Sequence, residues 1–265
     1  MSDQVDFGPS IDLDIIRIKQ GKAIPDKQCV ATEVPLTIIT NGDEIVTMLC
    51  TPSHLKELTI GFLYSSSFIN SFDDIKSYTL DSTRWAAYCE LKKKLNPDII
   101  HKRLYTSGCG KGVMYTNMNE ISSRHPLQND ITISHDEIIE IARWLQHCSI
   151  LYRSTGGVHT AALSEKGSIP GIHIDDIGRH NSVDKVIGKG LMEGIDFSRT
   201  ALISTGRISS EILHKARRSG IAITISRGAP THQTILLARE MAITVVGFAR
   251  GGGFSIYSKE DRIRL

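Results

Sequence analysis

The amino-acid sequence predicts an α/β protein, and two observations support this prediction. In the last third of the chain, short apolar runs alternate with helix-like segments in the order strand, helix, strand, helix, strand. This alternation is typical of parallel strands joined by right-handed crossovers. Nearer the N-terminus, Asn41-Gly42 lies between two apolar runs, which predicts a β-hairpin. We therefore expect a larger α/β domain after a smaller α+β portion.

The first two parts of the chain carry fewer signals. Residues 1–30 show no clear pattern, and we expect a flexible lead-in there. Residues 31–105 form the α+β portion, in which two strands fill residues 34–50 around the Asn-Gly turn. Ser53 can cap a helix that continues through Leu63. Weaker patterns predict two further strands near residues 75–80 and 86–91.

Residues 106–265 form the expected α/β domain. A helix beginning near Cys109 should end at residues 121–124, and Ser134 with Glu137 forms a capping box for the next helix. In the last third, Gly220 should end one helix, and Pro230-Thr231 should open another. The remaining elements are predicted as strands at 201–204, 221–225 and 243–248, with helices after the first two.

Composition excludes several classes of protein. Of the 265 residues, 40% are hydrophobic and 23% charged, and a formal charge of +2 is too small to indicate nucleic-acid binding. We expect no membrane span, because no apolar stretch approaches about 20 residues. The five cysteines are widely spaced without a Cys-x-x-Cys pair, which argues against a disulfide framework and a cysteine-rich zinc site. The absence of a disulfide framework and of a signal-peptide pattern at the N-terminus together suggest a cytoplasmic protein.

Cys109 is the candidate reactive residue. It lies between Gly108 and Gly110, and glycines favour turns and allow close approach of another molecule. Nearby basic residues, including Lys111, would favour the thiolate form. The other cysteines with apolar neighbours, Cys50, Cys89 and Cys148, are expected to be buried structural residues.

A second candidate site lies after the three C-terminal strands. Each strand is followed by a glycine-containing loop with one arginine: Arg207, Arg227 and Arg250. Ligands of open α/β sheets bind beyond the carboxyl ends of the strands, and arginine recognises phosphate with two hydrogen bonds. The loops therefore suggest a site for a phosphorylated ligand, plausibly a nucleotide. The alternative is that the glycines only form tight turns and the arginines are solvated.

A third cluster is rich in histidine and aspartate. It spans residues 171–185 and includes Asp176, Arg179 and His180, while His159 follows a Gly-Gly turn upstream. We expect no metal here, and a structural hydrogen-bond network is an open alternative to any chemical role. Zinc deaminase chemistry is not expected, because His159 is not followed by the required glutamate and no Pro-Cys-x-x-Cys occurs.

Together these motifs resemble the FdhD family of formate dehydrogenase accessory sulfurtransferases, over about residues 33–257. The segments that carry the resemblance are Glu33-Val34-Pro35-Leu36, Met48-Leu49-Cys50-Thr51-Pro52, Glu57-Leu58, Gly61-Phe62-Leu63, Ser107-Gly108-Cys109-Gly110, Thr155-Gly156-Gly157-Val158-His159, Asp176-Ile177-Gly178-Arg179-His180-Asn181, Asp184-Lys185 and Val246-Gly247-Phe248-Ala249-Arg250-Gly251. Their joint occurrence makes the resemblance highly specific.

The resemblance implies a cytidine-deaminase-like α/β/α sandwich with a mixed sheet, and a homodimer. It also implies that Cys109 takes a persulfide sulfur from a cysteine desulfurase. The sulfur then passes to the molybdenum bis-molybdopterin guanine dinucleotide of formate dehydrogenase, which a guanine nucleotide could mimic. The family's cofactor-binding stretch matches Phe248, Ala249, Arg250, Gly251, Gly252 and Gly253. Neither nucleic acid nor a membrane is an expected partner.

This sequence departs from the family pattern at two positions. Many members carry Cys-Gly-x-Cys-Gly, whereas Gly112 occupies the second cysteine position here. Cys109 would therefore both receive and release sulfur without a second thiol in its loop. Many members also carry a basic residue at the position of Gly253, which would leave more of the phosphate contact to Arg250.

Two other functions remain open on the sequence alone. A non-catalytic chaperone would bind the molybdenum cofactor without transferring sulfur. The missing second cysteine is consistent with this hypothesis. A nucleotide hydrolase would use His159 or His180 as a base, although no spacing of nucleophile and base favours it.

Overall fold

The computed structural model describes residues 8–93, 110–111 and 126–265. The strands are β1 (Ser10–Lys19), β2 (Lys22–Ala31), β3 (Val34–Thr40), β4 (Asp43–Cys50), β5 (Ile75–Asp81), β6 (Ala86–Leu91), β7 (Gly110–Lys111), β8 (Ile133–Ser134), β9 (His159–Glu165), β10 (Ile172–Asp176), β11 (Thr200–Ser204), β12 (Ile223–Ser226), β13 (Thr244–Arg250), β14 (Gly253–Ser258) and β15 (Ile263–Arg264). The helices are α1 (Leu55–Ser65), α2 (His135–Leu145), α3 (Ile150–Thr155), α4 (Arg179–Met192), α5 (Ser210–Ser219) and α6 (His232–Glu240), with short 3₁₀ turns at Phe72–Asp74, Phe197–Arg199 and Glu260–Arg262. No helix in these described segments has the length and apolar composition required to cross a bilayer.

The larger of the two main sheets has six strands in the order β10-β9-β11-β12-β13-β14. Strands β11, β12 and β13 are parallel to one another, and their outer neighbours are antiparallel. Side chains alternate between the faces of a strand. On β11, Leu202 faces the core that it shares with α4, α5 and α6, while Ala201 and Ile203 face the core under α2. Helices thus cover both faces, which confirms the α/β class and the βαβαβ unit expected from the sequence.

The smaller sheet has five strands in the order β5-β6-β3-β4-β7. Its β3–β4 hairpin turns at Asn41 and Gly42, whose φ angles of 51° and 90° suit the turn predicted from that pair. Helix α1 packs against it through buried residues such as Leu58 and Leu63. The strands expected near residues 75–80 and 86–91 are β5 and β6.

Helices α1 and α4 join the two sheets by a close crossing. A Cβ atom at Gly61 would lie 1.8 Å from the backbone oxygen of Asp184, and one at Gly188 would lie 2.0 Å from that of Glu57. Only glycine allows the two backbones to approach so closely. A buried ion pair of Asp184 with Lys215, 2.8 Å apart, adds α5 to this junction.

The lead-in expected over residues 1–30 differs from the structure. Strands β1 and β2 form a regular antiparallel ribbon with ten residues in each strand. A tight turn at Gln20-Gly21, with φ angles of 51° and 78°, joins them. The apolar–polar alternation of Ile11-Asp12-Leu13-Asp14 was the signal for this strand. The ribbon leaves large apolar side chains exposed on Ile11, Leu13, Ile16, Ile18, Ile24 and Val30.

The start of α1 also differs from the expectation. Ser53 does not cap it, since the residue before the helix is His54, in a left-handed conformation without a side-chain capping bond. In contrast, Ser134 and Glu137 form the expected capping box of α2. The helix expected to begin near Cys109 lies outside the described residues.

Candidate functional site

A cavity of about 490 Å³ opens at the carboxyl ends of the parallel strands of the larger sheet. Its volume lies within the range of about 300–1,000 Å³ usual for small-molecule sites. Arg227 lines it from the loop after β12, and Arg250 lines it from the end of β13. The other lining residues are Leu145, Gln146, Ser149, Tyr152, Gly156, Gly157, Val158, His159, Thr160, Ile177, Thr205 and Gly228.

The loops after β11 and β12 are held together by serine and glycine. The hydroxyl of Ser226 donates to the backbone oxygen of Gly206 at 2.6 Å and accepts from the backbone N–H of Gly228 at 2.9 Å. A Cβ at Gly228 would lie 3.1 Å from the backbone of the Gly206 loop, which is tighter than usual. These contacts fix the loop that presents Arg227 to the cavity.

Strand β13 contains a strained residue near its end, Phe248, and a sharp turn follows the strand. Phe248 has a φ of 52°, a left-handed conformation that is rare for a bulky side chain. Its backbone N–H donates to the oxygen of Gly228 at 3.1 Å, which ties β13 to the neighbouring loop. The guanidinium of Arg250 lies 5.7 Å from the centroid of the Phe248 ring. Gly251 and Gly252 supply the positive φ angles that return the chain to Gly253 in β14, and Ala249 is buried.

The third predicted arginine occupies a different position. Arg207 is exposed and is not a lining residue, although Thr205 of the same loop is. The structure therefore brings two of the three predicted arginines into one cavity. Sequence spacing could not distinguish them, because all three follow strands of the same parallel unit.

Another part of the cavity lining comes from α3, the residue before it and the start of β9. Asp175 organises it by accepting hydrogen bonds from Thr160 Oγ1 at 2.6 Å and from Ser149 Oγ at 2.7 Å. Ser149 also caps α3, which carries Tyr152. The neighbouring Gly156-Gly157 turn was recognisable from the sequence, whereas Ser149 and Tyr152 were missed. Ser149 before the helix and Gly156 at its end are the signals that could have indicated this helix.

Burial favours the neutral form of two histidines, His159 and His180. Burial, followed by the charge of Arg179, lowers the pKa of His159, which lines the cavity. Burial and the nearby Arg179 lower the pKa of His180 to about 3. His180 does not line the cavity, and its Nε2 lies 3.0 Å from Ser209 Oγ. The positive charge that faces a ligand therefore comes from Arg227 and Arg250.

The aspartate-rich motif forms a buried network, as the structural alternative predicted. Asp176 and Lys185 are fully buried and lie 2.6 Å apart. Asp176 also accepts from the backbone N–H groups of Thr51 at 3.0 Å and Gly178 at 2.7 Å. The next residue, Ile177, lines the cavity. Nowhere in residues 8–93 or 126–265 do three or more potential metal-ligating side chains converge.

Cys109 lies outside the described residues. Its neighbour in the sequence, Gly110, pairs with Met48 of β4 in an antiparallel ladder. Burial raises the pKa of Cys50 to about 12 and that of Cys89 to about 11. These buried thiols fit the expected structural role. Cys148 is half-buried, and burial raises its pKa to about 11.

Comparison with known proteins gives consistent results. Two curated relatives, the sulfur carrier protein FdhD of Staphylococcus aureus strains MRSA252 and JH9, are 41% and 40% identical over 251 residues, or 94% of each chain. The crystal structure of a protein proposed to be a formate dehydrogenase accessory protein, from Desulfotalea psychrophila, superposes with a TM-score of 0.77 at 25% identity. It covers 96% of this chain and 99% of its own. The profile of the FdhD/NarQ family matches residues 31–264, and the chain therefore belongs to the FdhD/NarQ family.

Proposed function

We propose that this protein is a sulfur carrier needed for formate dehydrogenase activity. Cys109 takes sulfur from a cysteine desulfurase as a persulfide and delivers it to the molybdenum bis-molybdopterin guanine dinucleotide, which is the cargo. This reaction takes place in the cytoplasm, before the cofactor enters formate dehydrogenase. The names of the Staphylococcus aureus relatives support the sulfur-carrier role.

The observation that carries the cofactor part of this proposal is the shared cavity of Arg227 and Arg250. Two guanidinium groups in a cavity also lined by His159, whose neutral form burial favours, give a positively charged site, and each can bind phosphate oxygens with two hydrogen bonds. Tyr152 and the Gly156-Gly157 turn offer flat and closely approachable surfaces to the rest of a nucleotide. A cavity of this volume would hold one guanine nucleotide arm of the cargo.

The sulfur step needs only one thiolate at a time. The thiolate of Cys109 attacks the terminal sulfur of the donor's persulfide, a new S–S bond forms, and the donor cysteine leaves as a thiolate. A lowered pKa would raise the thiolate fraction of Cys109 and make it a better leaving group in the next transfer. Gly112 offers no second thiol, so the Cys109 thiol would both accept the sulfur from the donor and release it in the next transfer.

Mass spectrometry tests the carrier role directly. After incubation with a cysteine desulfurase and free cysteine, the wild-type protein should gain a sulfur atom on the peptide that contains Cys109. Cys109→Ala should gain none, whereas Cys29→Ala, which changes a half-buried thiol, should load normally. Equal loading of Cys109→Ala would refute the assignment.

Calorimetry with guanosine diphosphate tests the cofactor site. Each of Arg227→Ala and Arg250→Ala should weaken binding by about tenfold or more, since a hydrogen bond to a charged group contributes about 1.5–3 kcal/mol. Arg207→Ala is the matched control, because this exposed arginine is outside the cavity lining, and its affinity should stay within about twofold of wild type. Equal losses in all three variants would place the phosphates elsewhere.

The main alternative is a chaperone that binds the cofactor but transfers no sulfur. The single thiol of the Cys109 loop favours it, since no second loop cysteine can relay the sulfur. In cells, this alternative predicts that Cys109→Ala still supports active formate dehydrogenase, whereas Arg250→Ala does not. The carrier proposal predicts that both variants lose activity.

We also propose a homodimer and a cytidine-deaminase-like sandwich. Helices on both faces of the six-stranded sheet support the sandwich. The exposed isoleucines of the β1–β2 ribbon support the dimer, because an isolated two-stranded ribbon is at best marginally stable in water. A second copy would cover this apolar surface.

A further inference from the structure

We propose that Asp176 is a positioning residue that couples the cavity to strand β4, and through β4 to the short strand that adjoins Cys109. This inference rests on the proposed function, because it relates the cofactor site to the sulfur carrier. Neither the family match nor the names of the relatives assign a role to Asp176.

The first step is the contact between Asp176 and the end of β4. Thr51 follows β4 directly and is fully buried. All of its polar groups are engaged by the segment from Asp176 to Lys185. Its backbone N–H donates to Asp176 Oδ2 at 3.0 Å, its hydroxyl accepts from the N–H of Ile177 at 3.1 Å, and its carbonyl accepts from Lys185 Nζ at 3.1 Å.

A second attachment lies two residues earlier on the same strand. The side-chain amide of Asn181 donates to the backbone oxygen of Leu49 at 2.8 Å and to Asp176 Oδ1 at 3.0 Å. Asp176 therefore acts on β4 both directly and through Asn181. The strand end cannot shift without breaking two buried hydrogen bonds, from Thr51 to Asp176 and to Lys185, and such bonds are costly to leave unmade.

The other side of this network is the cavity wall. Ile177 lines the cavity, and its backbone N–H is held by Thr51. Gly178, held by Asp176 at 2.7 Å, begins the turn into α4. A ligand that orders this wall would therefore stabilise the same hydrogen bonds that hold β4.

The last step runs along β4 to β7, the short strand that adjoins Cys109. Gly110 pairs with Met48, three residues before Thr51, or about 10 Å at roughly 3.3 Å per residue. Because β7 is antiparallel to β4, its Gly110 end is the one nearer to Thr51. Cys109 is joined to that end by one peptide bond. Asp176 thus fixes the strand with which Gly110, the residue after Cys109, is paired.

An ordinary stabilising ion pair is the competing explanation, and the chain contains a matched control for it. Asp184 and Lys215 form a second buried pair, 2.8 Å apart. Asp184 also accepts a hydrogen bond from the hydroxyl of Ser65. This pair joins α4 to α5 and α1 and touches neither the cavity lining nor β4. Because removing one member would leave a buried charge unpaired, both members are replaced together in each variant.

Hydrogen exchange measured by mass spectrometry tests the proposal on the full-length protein, with guanosine diphosphate as the probe. In wild type, the nucleotide should slow exchange of the β4 amides. In D176N/K185M, β4 should exchange at least about fivefold faster without nucleotide, the effect of one lost hydrogen bond. Added nucleotide should no longer slow it, although the nucleotide still binds. D184N/K215M should keep both the wild-type exchange rate of β4 and its response to nucleotide.

Two results would overturn the proposal: equal exchange of β4 in the two double variants, or an unchanged nucleotide response in D176N/K185M. Failure of the proposed function gives a different pattern. If wild type does not bind guanosine diphosphate, the cofactor site is wrong. The ligand-free comparison of the two double variants then still decides whether Asp176 positions β4.

Discussion

His180 should make the stability of this protein depend on pH between 7 and 5. In the folded protein, burial lowers the pKa of His180 to about 3, compared with 6.5 for a free side chain. As pH falls through 6.5, the unfolded chain gains a proton that the folded protein does not, so the free energy of unfolding decreases. This continues until the pH approaches the folded pKa. The contribution of His180 to the decrease from pH 7 to pH 5 is about 2 kcal/mol, at 1.36 kcal/mol per pH unit below 6.5.

Urea denaturation of wild type and His180→Gln at both pH values measures this contribution. The glutamine amide can replace the hydrogen bond to Ser209 but does not titrate. The variant should therefore lose about 2 kcal/mol less than wild type on going from pH 7 to pH 5. Substitution of the exposed His232 by glutamine serves as the control for the histidine-to-glutamine replacement itself. Parallel curves for His180→Gln and wild type would show that His180 binds its proton equally well in the folded and unfolded protein and would refute the reasoning.

Two further predictions concern packing and assembly. In a denaturation assay, Gly61→Ala should lower the free energy of unfolding by about 2 kcal/mol or more, because its Cβ would overlap a backbone oxygen of the crossing helix. Gly171→Ala is the control and should change stability little, because Gly171 has open space around it. Similar stability of both variants would contradict the close crossing. The double variant Ile16→Lys/Ile18→Lys should be monomeric by light scattering, while Leu236→Lys, at another exposed apolar position, should remain dimeric. A dimeric ribbon variant would show that the ribbon is not the interface.

Local signals in the sequence were sufficient for much of the fold. The Asn41-Gly42 turn, the Ser134 capping box and the glycine that ends α5 each depend on residues close in the sequence. The parallel unit was predictable because its strands are fully buried and read as apolar runs. The β1–β2 ribbon was missed because the alternation of Ile11-Asp12-Leu13-Asp14 ends after four residues at the adjacent apolar pair Ile15-Ile16, so the segment resembled an irregular one.

The candidate site was only partly predictable, for a geometric reason. Arg227 and Arg250 were named because they follow strands, but the same rule named Arg207, which is outside the cavity lining. Which arginine enters the cavity depends on the path of each loop. The role of Asp176 depends on its hydrogen bond to Thr51, 125 residues away in the sequence, and no local pattern reports such a contact.

The left-handed backbone of Phe248 has a consequence for engineering this protein. A non-glycine residue in this region costs about 1–3 kcal/mol of conformational energy. Glycine would avoid that cost, yet it would also remove the ring beside which the Arg250 guanidinium lies. Thermal stability and ligand affinity would then change in opposite directions at a single position. A selection for heat resistance alone would favour glycine there and would weaken the site.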